Sequence, residues 1–152
     1  MMEKTAILGI GNILLKDDGI GVHVIRALEG ENLPDCIELV DGGTSTLDML
    51  GYFMDNPKVI VIDALRAGYA PGTIYKIKPE AIINYRKENL SIHDVHILDI
   101  MKMAKMMGGN PEVVIFGIEP WDISPGLELS EAMIQRIPAI IEHVKNELPG
   151  NT

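Results

Sequence analysis

Acidic side chains stand just behind the short apolar runs of this chain. Asp17 and Asp18 follow "TAILGI", Asp41 ends "IELVD", Asp63 closes "VIVID" and Glu119 follows "VVIFGI". "SIHDVH" adds two imidazoles, His93 and His96, at i, i+3 spacing. Asp18, Asp63 and His93 come from three distant segments and offer two hard oxygens and one borderline nitrogen. Cys36 is the only cysteine, so thiolate cages and internal disulfides are excluded. An oxygen and nitrogen set of this kind suits a divalent ion held with coordination positions left open, and Ni²⁺ and Zn²⁺ rank high in affinity for it. Taken singly, each residue also has an ordinary reading. Asp17 or Asp18 fits a helix N-cap, Asp41 before two glycines fits a turn bonded to its own backbone, and His23 and His143 fit the exposed sides of amphipathic helices. Asp63 is harder to explain that way, because a carboxylate ending an apolar strand is costly to bury without a cation or donors.

The elements that must bring these groups together are short β-branched runs alternating with helical patterns. Residues 5–10, 37–40, 59–63, 73–77 and 113–118 read as strands, and the near-continuous apolar character of "VIVID" and "VVIFGI" suits strands covered on both faces of a parallel sheet. Helices are expected after the first strand, over Leu47 to Met54 behind Thr44 and Ser45 as N-caps, over His93 to Met107, and at the C-terminus around Pro138, which should kink its helix. The connection from Ala64 to Gly72 is too short for a parallel crossover, so "TIYKI" should run antiparallel. Met101, Met103, Met106 and Met107 are assigned to the core, and "EPWDISPGLEL" is either a rim over the site or a plain surface loop. In such a doubly wound α/β sheet, ligands collect beyond the carboxyl ends of the strands, where the acids stand.

At 152 residues and 47% hydrophobic content, the chain makes one domain spanning residues 1–152. The net charge of −9 excludes a nucleic-acid partner. No apolar run is long enough for a membrane span, and a cytoplasmic location is expected. A dinucleotide site is disfavoured: "GIGNIL" has two glycines of the fingerprint, but Leu14 stands where the third belongs, and Asp17 and Asp18 would repel phosphates.

"GIGNILLKDDGIGVHVI", "VDGGTSTLDML", "VIVIDA", "SIHDVHILDIM" and "FGIEP" occur here in the order seen in the hydrogenase maturation endopeptidases, which this chain resembles over nearly its whole length. The resemblance implies a three-layer α/β/α fold around a five-stranded mixed sheet with one antiparallel strand. It implies a protease that removes the C-terminal extension of a nickel-iron hydrogenase large-subunit precursor after nickel insertion. Asp18, Asp63 and His93 match the family's metal contacts, and the nickel is supplied by the substrate, with Zn²⁺ or Cd²⁺ able to take its place. Two routes for cleavage stay open, polarisation of the scissile carbonyl by the metal or activation of water by Asp41 of "DGGT" as the candidate catalytic base, with Gly42 and Gly43 beside it as substrate-binding residues; His96 matches no family ligand. A non-catalytic nickel carrier or chaperone and a nucleotide-binding module are the alternative readings.

Overall fold

The computed structural model describes residues 3–79 and 92–149, with the side chains of residues 92–96 outside that description. Five strands, β1 (Thr5–Ile10), β2 (Ile37–Gly43), β3 (Lys58–Ala64), β4 (Ile74–Ile77) and β5 (Glu112–Ile118), form one sheet in the order β2-β1-β3-β5-β4. The first three and β5 are parallel, and β4 runs antiparallel to β5, as the short Ala64–Gly72 connection requires. The helices bounded within the described residues are α1 (Ile20–Leu28), α2 (Leu50–Asp55), α3 (Ile92–Met106) and α4 (Glu131–Asn146), with 3-10 turns at Lys16–Gly19 and Thr46–Met49. The architecture is therefore the expected α/β one with a mixed sheet. Among the described residues no helix is long and apolar enough to cross a membrane.

Strand alternation divides the core into two layers. Ile60, Ile62 and Phe116 face α1 and α4, packing with Val24, Leu28, Met133 and Ile140. Val59, Val61 and Ile115 face α2 and α3, packing with Phe53, Ile97, Ile100 and Ala104. Lys58 and Lys76 close the opposite end of the sheet by pairing with Glu147 just beyond α4. Burial opposes the Glu147 charge, but the two ammonium groups outweigh it and hold the carboxyl below its usual range.

Several local expectations are corrected. Asp17 and Asp18 cap no α-helix: they lie within the 3-10 turn, and Gly19 occupies the N-cap of α1. The Leu47 to Met54 helix is split into a 3-10 turn and a short α2, and Ser45 stands at the cap position without a side-chain capping bond. Of the four methionines assigned to the core, only Met101 packs against it; Met103, Met106 and Met107 are exposed, at 40%, 88% and 61%. The helix ends there, and the following Gly108 and Gly109 turn the chain back toward β5. Pro138 does lie inside α4.

The first turn of α1 sits flush on the strand ends. A Cβ at Gly21 would come within 2.1 Å of the Ile62 carbonyl oxygen and 2.5 Å of that of Ile10. Both obstacles are backbone, so neither can swing away. Gly21→Ala is expected to destabilise the fold by about 1–3 kcal/mol, as overpacking does, measured by urea unfolding.

Candidate active site

The carboxyl end of the sheet is where β1, β2 and β3 release their chains side by side. Gly9 pairs with Asp41 on one flank and with Ile62 on the other, so Asp63 emerges one residue past that line and pairs with Gly117. Asp63 is 2% exposed. By alternation it shares the α2 and α3 face with Val59 and Val61.

Asp18 reaches the same edge through the turn after β1. Gly11, at φ 142°, brings the chain so close to the 3-10 turn that a Cβ there would lie 2.0 Å from the Asp18 carbonyl oxygen. The Asn12 N–H donates to Asp18 Oδ2 at 3.0 Å, fixing the carboxylate against the strand end. His93 is the second residue of α3, one turn before the buried Ile97. Its side chain, like that of His96, lies outside the described residues. Among the described residues, no three His, Cys, Asp or Glu side chains gather as a metal site.

Asp41 stands apart from Asp63. It is exposed, its Oδ1 accepts from the Gly43 N–H at 3.2 Å, and its Oδ2 lies 4.0 Å from the Arg26 guanidinium of α1. The self-bonded turn expected at this aspartate is therefore present, and Asp41 belongs to the α1 face. A bulge follows, since Ile10 pairs with Gly43 rather than Gly42. Beside it opens a cleft of about 460 Å³ lined by Asp41, Gly42, Gly43, Asp48, Met49 and Tyr52.

Two further carboxylates of the acidic edge have constructive roles. Asp17, wholly buried, accepts from the backbone N–H groups of Trp121, Asp122 and Ser130 and from the Ser130 hydroxyl, at 2.8–3.1 Å. Its own N–H donates to the Asp122 carbonyl, and Lys16 and Leu14 exchange backbone hydrogen bonds with Gly126. The 121–130 loop is thus a rim stitched to the turn that carries Asp18. Asp122, on that rim, is held at a pKa of about 2 by the hydroxyl and N–H of Ser124 and by Lys16. Glu119 Oε1 accepts from the N–H groups of Ala67 and Tyr69 and from the Tyr75 hydroxyl, bracing the 65–73 turn. The sequence signal for Asp17 was its adjacency to Asp18: neighbours in a tight turn point apart, so one of the two faces inward.

A model of one family, described as hydrogenase maturation protease, matches residues 22–147. The chain belongs to the hydrogenase maturation proteases. It is 36% identical over 155 residues to a putative hydrogenase maturation protease of Methanocaldococcus jannaschii, covering 95% of this chain and 99% of the relative. It is 31% identical to the hydrogenase 2 maturation protease of Escherichia coli K12, over 93% of this chain and 88% of that one. The solved structure of the hydrogenase maturating endopeptidase HybD from E. coli superposes with a TM-score of 0.84 at 28% identity, covering 97% of this chain and 98% of that one. The protein is accordingly a peptide hydrolase with the HybD-like fold. The readings as a nucleotide-binding module and as a non-catalytic carrier give way to it.

His23, assigned from sequence to the exposed class, is half-buried with Nε2 shut from solvent and, among the described residues, no hydrogen-bond partner for that atom. Burial, with help from Arg26, lowers its pKa below 6.5 against the opposing pull of Asp17. The unfolded chain therefore takes up this proton first, and stability is lost as pH falls below about 6.5. In denaturant titrations between pH 7 and pH 5, His23→Gln is expected to flatten that decline. Asp17→Ala strands four donors, each costing about 1–3 kcal/mol when buried and unsatisfied. It is expected to lower the melting temperature sharply and to raise backbone exchange across residues 121–130.

Proposed function

We propose that this protease trims the C-terminal extension from a nickel-iron hydrogenase large-subunit precursor once nickel is in place. Asp18, Asp63 and His93 bind the substrate's own nickel. The observation that carries the reading is Asp63, a carboxylate buried next to the last residue of β3, behind the apolar run Val59–Ile62, at the edge where Asp18 is also pinned. A divalent ion carried in by the substrate can be bound by carboxylates placed there, and the metal-free precursor cannot offer that bond. Nickel thereby acts as a licence for cleavage rather than as a resident cofactor. Zn²⁺ or Cd²⁺ added to the protein alone would fill the same donors.

In hydrolysis, water adds to the scissile carbonyl carbon, the C–N bond breaks and the departing amine takes a proton. Asp41 is assigned as the base that receives the water's proton and returns it to the amine. Two strand spacings, roughly 10 Å, separate its strand from that of Asp63, and the two face opposite layers. Asp41 therefore serves the peptide rather than the metal, with Gly42 and Gly43 lining the adjoining cleft for the tail.

Incubating the protein with nickel-loaded and nickel-free precursor, followed by intact mass, tests this. Only the loaded precursor should lose mass. Asp18→Ala, Asp63→Ala and His93→Ala should each abolish cleavage, whereas Asp41→Asn should lower kcat and leave nickel-dependent binding intact. Cleavage of nickel-free precursor at the same rate would refute the licence. Divalent metal at about 100 times its Kd should stabilise the protein alone by about 2.7 kcal/mol.

A further inference from the structure

The sheet has one long open edge. β2 is a terminal strand of seven residues, and among the described residues nothing pairs with its outer side. The phase of its bonding fixes which backbone groups face outward. Thr5 N–H donates to the Cys36 carbonyl at 3.0 Å, and past the bulge Gly11 N–H donates to that of Gly43 at 2.9 Å. In a parallel pair, alternate residues turn both backbone groups to the same neighbour, so Glu38 and Val40 serve β1, while Ile37, Leu39 and Asp41 turn outward. Ile37 N–H is occupied by the Pro34 carbonyl at 3.1 Å. Leu39 and Asp41 remain as an unclaimed pair of donors and acceptors spaced for an added strand.

This edge runs directly into the cleft beside Asp41, and its exposed side chains are acidic. Glu38 and Asp41 lie on β2 and Asp48 lines the cleft, all exposed. An edge of this length is normally blunted by lysine, proline or a covering segment. Here the charges that would deter a second copy of the same acidic strand favour a cationic one. We propose that an extended, basic stretch of the substrate's C-terminal extension adds to β2 as a sixth strand. It is bonded to the backbone of Leu39 and Asp41, with its cationic side chains beside Glu38 and Asp48.

The inference rests on the tail-trimming reading above and deepens it. The direction follows from the geometry. A tail leaving the carboxyl end of β3 must travel about three strand spacings, roughly 14 Å, to lie outside β2. About four extended residues cover that span at roughly 3.3 Å each. The segment beyond them then descends toward the amino end of β2, hence antiparallel to it. Such docking would hold the cut bond near Asp41 before any chemistry begins.

The probe is a synthetic octapeptide alternating Lys and Thr, with one alternating Glu and Thr as control, added to the full-length protein. Amide exchange is followed residue by residue. The cationic peptide should slow exchange at Leu39 and Asp41 about tenfold, leave Glu38 and Val40 unchanged, and compete with precursor in the cleavage assay; the anionic one should do neither. The double variant Glu38→Lys, Asp48→Lys should raise KM for precursor about tenfold with kcat preserved. Unaltered exchange at saturating peptide, equal effects of both peptides, or an unchanged KM in the double variant would each overturn the proposal. So would protection of Leu39 in the protein alone that disappears on dilution, since a second copy would then own the edge. The exchange experiment needs no cleavage, so a failure of the tail-trimming reading, seen as intact precursor with the unmodified protease, is distinguishable from a failure here.

Discussion

A single buried carboxylate, that of Asp17, holds the functional end of this molecule together. Its two oxygens collect four donors from the loop between β5 and α4, a loop separated from it by more than a hundred residues of sequence. Hydrogen bonds to a full charge inside a protein are roughly twice as strong as neutral ones, and here they converge from one segment onto one turn. The consequence is geometric. Asp18, the next residue, cannot drift from the strand ends without breaking the bond from Asn12 and dragging the rim with it. One aspartate of the pair is used for construction, and it holds the other at the strand ends.

The rest of the edge separates two carboxylates by the oldest rule of strands, that neighbours point to opposite faces. Asp63 belongs to the layer of α2 and α3, where α3 begins with His93 in its first turn. Asp41 belongs to the layer of α1, beside Arg26. The two carboxylates thus occupy one end of one sheet on opposite faces, which is the separation that the proposed division between metal and peptide requires. The bulge at Gly42 is part of this division, since it resets the register after Asp41 and turns the chain into the cleft.

Much of this could be read in the sequence, for physical reasons. Apolar, β-branched runs such as "VIVID" leave few alternatives to a buried parallel strand, and the nine residues from Ala64 to Gly72 are too few for a crossover, so strand positions and the antiparallel β4 followed directly. The clustering of acids after strands picked out the carboxyl end of the sheet, where Asp18, Asp41 and Asp63 do stand. Which acid did what was less legible, because hydrogen bonds between distant segments leave no local trace: Asp17 looked like a cap, and Glu119 like one more edge carboxylate. The end of α3 was misjudged for a related reason. Methionine reads as core by chemistry alone, whereas Met106 and Met107 stand exposed at the last turn of the helix and just past it. The burial of His23 was equally hidden, since it depends on how α1 seats against its neighbours.

Ser130 joins two of these features. Its hydroxyl donates to Asp17 while accepting from the Met133 N–H as the cap of α4. Synthesis proceeds from the amino terminus, and the early strands leave the ribosome long before residue 130 does. Until then Asp17 has no partners in the rim, and the turn bearing Asp18 lacks the anchor that the rim supplies. A nascent copy that has not yet reached residue 130 therefore carries the Asp18 turn without the rim that braces it.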